Sequence, residues 1–72
     1  MNNLNMAKIQ LNGDPYEISN GTNLNELLNR LKIQKNKVAI EVNGEIIEKS
    51  NYSNLILNKN DKVEIVKFIG GG

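Results

Sequence analysis

The chain has 72 residues, 39% of them hydrophobic, with nine basic side chains against eight acidic ones and neither cysteine nor histidine. That length holds one hydrophobic core, which typically yields only about 3–5 kcal/mol of net stability, and no disulfide or thiolate metal site is available to reinforce it. Without histidine the commonest general base and zinc ligand are missing, and the near-balanced charges, spread along the chain, offer no basic patch for a phosphate backbone, so self-contained catalysis and nucleic-acid binding are set aside.

In chain order, Ile9 and Leu11 alternate with polar residues over Lys8–Asn12, Asn12-Gly13-Asp14-Pro15 supplies turn chemistry, and Tyr16 and Ile18 alternate again. This pattern predicts a β-hairpin, with Asn12-Gly13 as a turn rather than a phosphate loop. After Ser19-Asn20-Gly21, the residues Leu24, Leu27, Leu28 and Leu31 fall at the spacing of one helix face and predict a helix over about 23–31. Thr22 or Asn23 is its N-cap, and Asn23 with Glu26 fits a capping box.

Val38, Ile40 and Val42 alternate with Ala39 and Glu41, and Asn43-Gly44 reverses the chain into Glu45-Ile46-Ile47, a second hairpin. The stretch 50–60 reads as a loop with a short helical turn and one apolar anchor drawn from Tyr52, Leu55, Ile56 and Leu57. A last strand is predicted over Lys62–Ile69, with Val63 and Ile65 on one face and Val66 and Phe68 on the other. The pair Val66 and Phe68 is either an exposed patch or a minor edge of the core. Glu45 and Glu48 belong to a solvated face rather than to a metal or acid–base site.

The order of elements predicts an α+β domain, a mixed sheet of four to five strands with one main helix packed on one face and the first and last strands side by side in the centre. A single domain over 1–72 is expected, with 1–5 a flexible N-terminal extension and 70–72 a flexible glycine tail. No apolar run approaches the roughly 20 residues of a membrane span, and Met1–Asn5 lacks the regions of a signal peptide, which predicts a cytoplasmic protein without membrane contact.

The sequence ends Phe68-Ile69-Gly70-Gly71-Gly72. Glycines without Cβ atoms can enter a narrow channel against another protein's backbone, and three of them extend roughly 10 Å beyond the sheet. A terminal carboxylate is ionised at neutral pH and can attack the α-phosphate of ATP; sulfur can then displace AMP from the acyl adenylate. Nothing in the chain supplies a phosphate cradle or magnesium ligands, so a separate enzyme must perform that activation. Taken alone, the tail is equally well read as a frayed end or an expression remnant.

The segments Val38-Ala39-Ile40-Glu41-Val42-Asn43-Gly44-Glu45-Ile46-Ile47 and Asp61-Lys62-Val63-Glu64-Ile65-Val66, with the terminal glycines, Ile9-Gln10-Leu11-Asn12-Gly13 and Glu26-Leu27-Leu28, resemble the ThiS family of sulfur carriers in thiamine biosynthesis. The resemblance covers nearly all the chain from Met6, which makes Met6 a second candidate start. It implies a β-grasp, ubiquitin-like fold and a protein co-substrate rather than an enzyme, with no cofactor of its own. Gly72 would carry sulfur, and Gly70, Gly71 and Gly72 would enter partner active sites. Val66, Phe68 and Ile69 would line the docking surface. The implied partners are a ThiF-like E1-type adenylating enzyme that uses ATP, thiazole synthase, and a sulfur donor such as a cysteine desulfurase; the carrier itself is a monomer when free. Many relatives have histidine where this chain has Lys67, a departure that bears on a side-chain role there and not on the tail. The small subunit of molybdopterin synthase shares the implied fold and thiocarboxylate but usually reaches its glycines through a proline-containing segment, absent from Val66-Lys67-Phe68-Ile69. The same residues also fit a ubiquitin-like modifier, joined through Gly72 to lysines of target proteins, or an inert binding module with a dispensable tail.

Overall fold

The computed structural model describes residues 5–68. Five strands, β1 (Met6–Leu11), β2 (Asp14–Ser19), β3 (Val38–Val42), β4 (Glu45–Ile47) and β5 (Lys62–Lys67), form one sheet in the order β2-β1-β5-β3-β4, and helix α1 (Leu24–Leu31) covers one face. Single 3-10 turns at Lys35–Lys37 and Lys49–Asn51 complete the described elements. The sheet is mixed, because β1 and β5 pair in parallel at its centre while the other neighbours are antiparallel. This is the β-grasp arrangement expected from the sequence.

The two hairpins form for the same local reason. Asn12 and Gly13, and again Asn43 and Gly44, adopt positive φ, the requirement of a two-residue type I′ turn, whose twist matches that of the strands it joins. Pro15 is tolerated in β2 because β2 is an edge strand. Helix α1 starts as the sequence predicts: the Asn23 side chain accepts from the Glu26 N–H at 2.8 Å, and the Glu26 carboxylate accepts from the Asn23 N–H at 3.0 Å. It ends at Lys32, in the left-handed conformation, with the Ile33 N–H bonded back to the Leu28 carbonyl in the manner of a Schellman cap.

Between sheet and helix lies one core, built of Ala7 and Ile9 from β1, Ile18 from β2, Leu24, Leu27 and Leu28 from α1, Val38, Ile40 and Val42 from β3, and Val63 from β5. Tyr52 and Leu57 join it from the long β4–β5 connection. The sequence pointed to one apolar anchor in that segment, whereas the structure buries two, and the reason is visible in the main chain. The Tyr52 carbonyl accepts from the Leu24 and Asn25 N–H groups, which have no partner inside the helix, and the Leu57 N–H donates to the Thr22 carbonyl, so the segment is fastened at both ends to the start of α1. The Tyr52 hydroxyl is buried beside the Ile40 backbone without meeting hydrogen-bond geometry.

Candidate functional site

Of the residues expected to act, Ile69, Gly70, Gly71 and Gly72 lie outside the described residues. Their root is described in full. Strand β5 is the middle strand of five and delivers the chain to Phe68 from the centre of the sheet. On one flank its ladder with β3 runs from Val42↔Val63 to Val38↔Lys67, and the Phe68 N–H extends it by donating to the Lys37 carbonyl at 3.0 Å. The last strand thus ends at Lys67, one residue before Phe68, where the sequence pattern had carried it to Ile69.

The other flank is shorter. Strand β1 pairs with β5 only at Gln10↔Lys62 and Leu11↔Val63 before turning away. Asn12 then substitutes for the missing strand: its Oδ1 accepts from the Ile65 N–H at 2.8 Å and its Nδ2 donates to the Ile65 carbonyl at 3.4 Å. A side-chain amide has the donor and acceptor of a peptide group, so Asn12 acts as one more rung. Asn43 holds the start of β5 differently: its Oδ1 accepts from the Lys62 N–H at 2.9 Å, while its Nδ2 donates to the Asp61 carboxylate at 3.0 Å. Both turn asparagines therefore fix the strand that leads into the tail. Asn-Gly predicts the turns, but nothing local in the sequence predicts an amide that grips a strand 53 residues away.

Registers place Ala39, Ile46 and Val66, with Phe68 just past the strand, on the face that α1 does not cover. Val66 is 54% exposed, Phe68 52% and Ile46 73%, so the choice left open by the sequence is resolved as an exposed apolar patch. The Lys49 Nζ lies 5.4 Å from the centroid of the Phe68 ring and donates to the Val38 carbonyl at 3.1 Å, a cation–π contact that holds the ring at the root of the tail. Lys49 was not among the residues the sequence singled out.

The arrangement is an exposed apolar surface at the end of the central strand. Among the described residues no group of three or more acidic side chains is placed to hold a metal ion. A depression beside α1 and the 3-10 turn at Lys35–Lys37 is lined by Asn25, Asn29, Lys32, Gln34, Lys35 and Asn36, with no carboxylate among them. A ring that is half-exposed contributes little to the core and much to an apolar contact. Phe68→Ala should accordingly weaken partner docking by about 1–2 kcal/mol while changing unfolding free energy by about 0.5 kcal/mol or less. Calorimetric titration beside urea unfolding checks this, and a loss confined to stability would assign Phe68 to the core.

Similarity to known proteins covers almost the whole chain. The family model described as the ThiS family matches residues 9–72. The thiazole synthase of Magnetococcus marinus is 42% identical over 65 residues, which cover 90% of this chain and 20% of that synthase, so the chain spans about a fifth of that relative's length. The sulfur carrier protein ThiS of Bacillus subtilis is 37% identical over 65 residues, covering 89% of this chain and 98% of that carrier. The crystal structure of the thiamine biosynthesis protein ThiS of Geobacter metallireducens aligns with a TM-score of 0.79 at 34% identity, over 90% of this chain and 99% of that one.

Proposed function

Since the chain belongs to the ThiS family, we propose that it carries sulfur on the carboxyl group of Gly72, as a protein co-substrate rather than an enzyme. The observation that carries this reading is that the family match runs through the terminal glycines, which follow closely on the central strand of a β-grasp sheet.

The chemistry requires two displacements at Gly72. A carboxylate oxygen attacks the α-phosphorus of ATP, pyrophosphate leaves, and an acyl adenylate remains. Sulfide then adds to the carbonyl carbon, and AMP departs with the electron pair of the broken C–O bond, leaving a thiocarboxylate. The chain's part is to present the carboxylate and to dock; an E1-type adenylating enzyme of the ThiF kind binds ATP and holds the reacting phosphate. A donor such as a cysteine desulfurase supplies the sulfur.

The consumer of that sulfur is thiazole synthase, which uses it for the thiazole ring of thiamine. Support comes from the thiazole synthase of M. marinus, one fifth of which aligns with this chain. Docking uses the patch of Val66 and Phe68, continued by Ile69, while Gly70, Gly71 and Gly72 enter the partner's active site. All of this takes place in the cytoplasm, where the ATP-dependent partner works.

Intact mass spectrometry after incubation with ATP, the adenylating enzyme and sulfide tests the proposal. The expected result is a gain equal to the difference between one sulfur and one oxygen atom, mapped to Gly72. Thiol-resistant conjugates on lysines of other proteins, with no such gain, would replace the carrier by a protein modifier.

A further inference from the structure

Asn43 holds more of the fold together than a turn residue must. Its main-chain N–H donates to the Lys62 carbonyl at 2.8 Å, its Oδ1 accepts from the Lys62 N–H at 2.9 Å, and its Nδ2 donates to Asp61 Oδ1 at 3.0 Å. The second oxygen of the Asp61 carboxylate accepts from the Asn58 N–H at 2.7 Å, so a single clasp joins the β3–β4 turn to the turn that opens β5. The clasp requires an amide, because only a group with an acceptor on one atom and a donor on the other satisfies a peptide N–H and a carboxylate at once. Its surroundings are charged. Glu41 and Glu64, paired across β3 and β5, line the same depression as Asn43 and Gly44, with Lys62 as the one cation among the lining residues. Asn43 is exposed and is followed by Gly44, where open space lies around the position a Cβ would take. Among the described residues the Gly44 N–H donates no hydrogen bond.

We propose that Asn43 is a site of spontaneous deamidation, with water as the reactant, and that conversion turns the clasp into a repulsive contact. When the turn opens, the Gly44 nitrogen gives its proton to solvent and attacks Cγ of Asn43. The Cγ–Nδ2 bond breaks, Nδ2 takes a proton from water and leaves as ammonia, and a five-membered succinimide remains. Water then adds to either imide carbonyl and opens the ring to aspartate or isoaspartate. Glycine favours this ring closure because no side chain obstructs its nitrogen, and asparagine is for such reasons a thermolabile residue. The product has acceptors on both atoms where the clasp needs a donor. Closing it would set a second carboxylate against Asp61 across the 3.0 Å that the Nδ2 bond now spans, with Glu41 and Glu64 nearby. Asn12, also followed by glycine, differs: its amide meets the main chain of Ile65, so conversion there loses a hydrogen bond of 3.4 Å and opposes no carboxylate. The inference is independent of the carrier reading and concerns the start of the strand that delivers the chain to Phe68.

The test ages the full, folded chain in mild alkali and maps its peptides by mass spectrometry. The expected result is the exchange of one NH for one oxygen at Asn43. No conversion there, under conditions that convert a free peptide of residues 38–47, would overturn the proposal. Thermal melts of three variants at neutral pH separate the lost amide from the added charge. Asn43→Asp should melt at least about 4–8 °C below the parent. Asn43→Gly keeps the positive φ and removes the amide without adding charge, so it should lose less than Asn43→Asp. Asn43→Asp/Asp61→Asn exchanges the two side chains, sets one carboxylate against one amide again, and should recover at least about half of the Asn43→Asp loss. An Asn43→Asp chain as stable as the parent, or an exchange no more stable than Asn43→Asp alone, would overturn the clasp. Should Asn43→Asp fail to fold, the exchange still decides: a cooperative melt supports the proposal, and its absence overturns it.

Discussion

Deleting Gly72 should abolish sulfur loading and leave the melting temperature of the domain within about 2 °C of the parent. The reasons lie on different parts of the molecule. Every described core residue falls between Ala7 and Val63, and the main-chain ladder that secures the last strand ends with the Phe68 N–H bond to Lys37. Removing a residue beyond these contacts subtracts nothing from them. The chemistry, in contrast, depends on reach. Losing one residue withdraws the carboxylate by up to about 3.5 Å, whereas a misplacement of about 1 Å at a reacting centre can already cost 10²-fold in rate. Gly71 would then offer the same functional group in the wrong place. Intact mass after treatment with ATP, adenylating enzyme and sulfide, beside a thermal melt, reads both halves of the expectation. Loading of the truncated chain at the parental rate would move the reacting group away from Gly72.

Tyr52→Ala should unfold the protein at room temperature. Truncating a fully buried aromatic ring costs about 3–5 kcal/mol, as much as the whole net stability typical of a single core this small. The main-chain carbonyl of the same residue caps α1, so loss of the ring loosens the segment that holds the helix start as well as opening a cavity. Tyr52→Phe separates the ring from the hydroxyl. That hydroxyl is buried without a bonded partner, so its removal should leave stability unchanged or raise it by about 1–2 kcal/mol. The same pair of variants makes a pH prediction. Burial pushes the Tyr52 phenol above its ordinary value of 10.0, partly offset by the nearby Ile40 backbone. Below pH 10.0 the phenol is neutral in both folded and unfolded chains and stability is retained in full; as pH rises past that value the unfolded chain releases its proton first, and stability falls until the folded pKa is passed. Urea unfolding at alkaline pH should show a decline for the parent that is smaller in Tyr52→Phe. A hydroxyl with a strong partner would instead make Tyr52→Phe destabilising at neutral pH.

What could be read from the sequence was what neighbours in the chain decide. The Asn-Gly turns, the leucine stripe, the capping box between Asn23 and Glu26 and the alternation in β3 are local patterns, and each appears where it was expected. The placement of β1 beside β5 followed from the order of elements. Contacts between distant segments left no such trace. Asn12 has the composition of an ordinary turn whether or not its amide meets Ile65, and Tyr52 is one of four candidate anchors until the segment is seen fastened to the start of α1. Lys32, Lys37, Lys49 and Lys67 likewise come from separate segments, and only the fold brings them near Phe68. For the site itself, the exposed positions of Val66 and Phe68 are described, whereas Ile69 and the three glycines were singled out by residue type and by family resemblance.

The parallel pairing of β1 with β5 also has a mechanical consequence. Tension applied between the start of β1 and the tail runs along both strands, so the Gln10 N–H bond to Asp61, the Asn12 N–H bond to Val63 and the Asn12 amide bonds to Ile65 are strained together in shear rather than peeled apart one after another. Forced opening is governed by the rate of that single concerted rupture. Tension between the start of β1 and the end of β5 therefore loads the centre of the sheet as a unit and does not unravel it rung by rung.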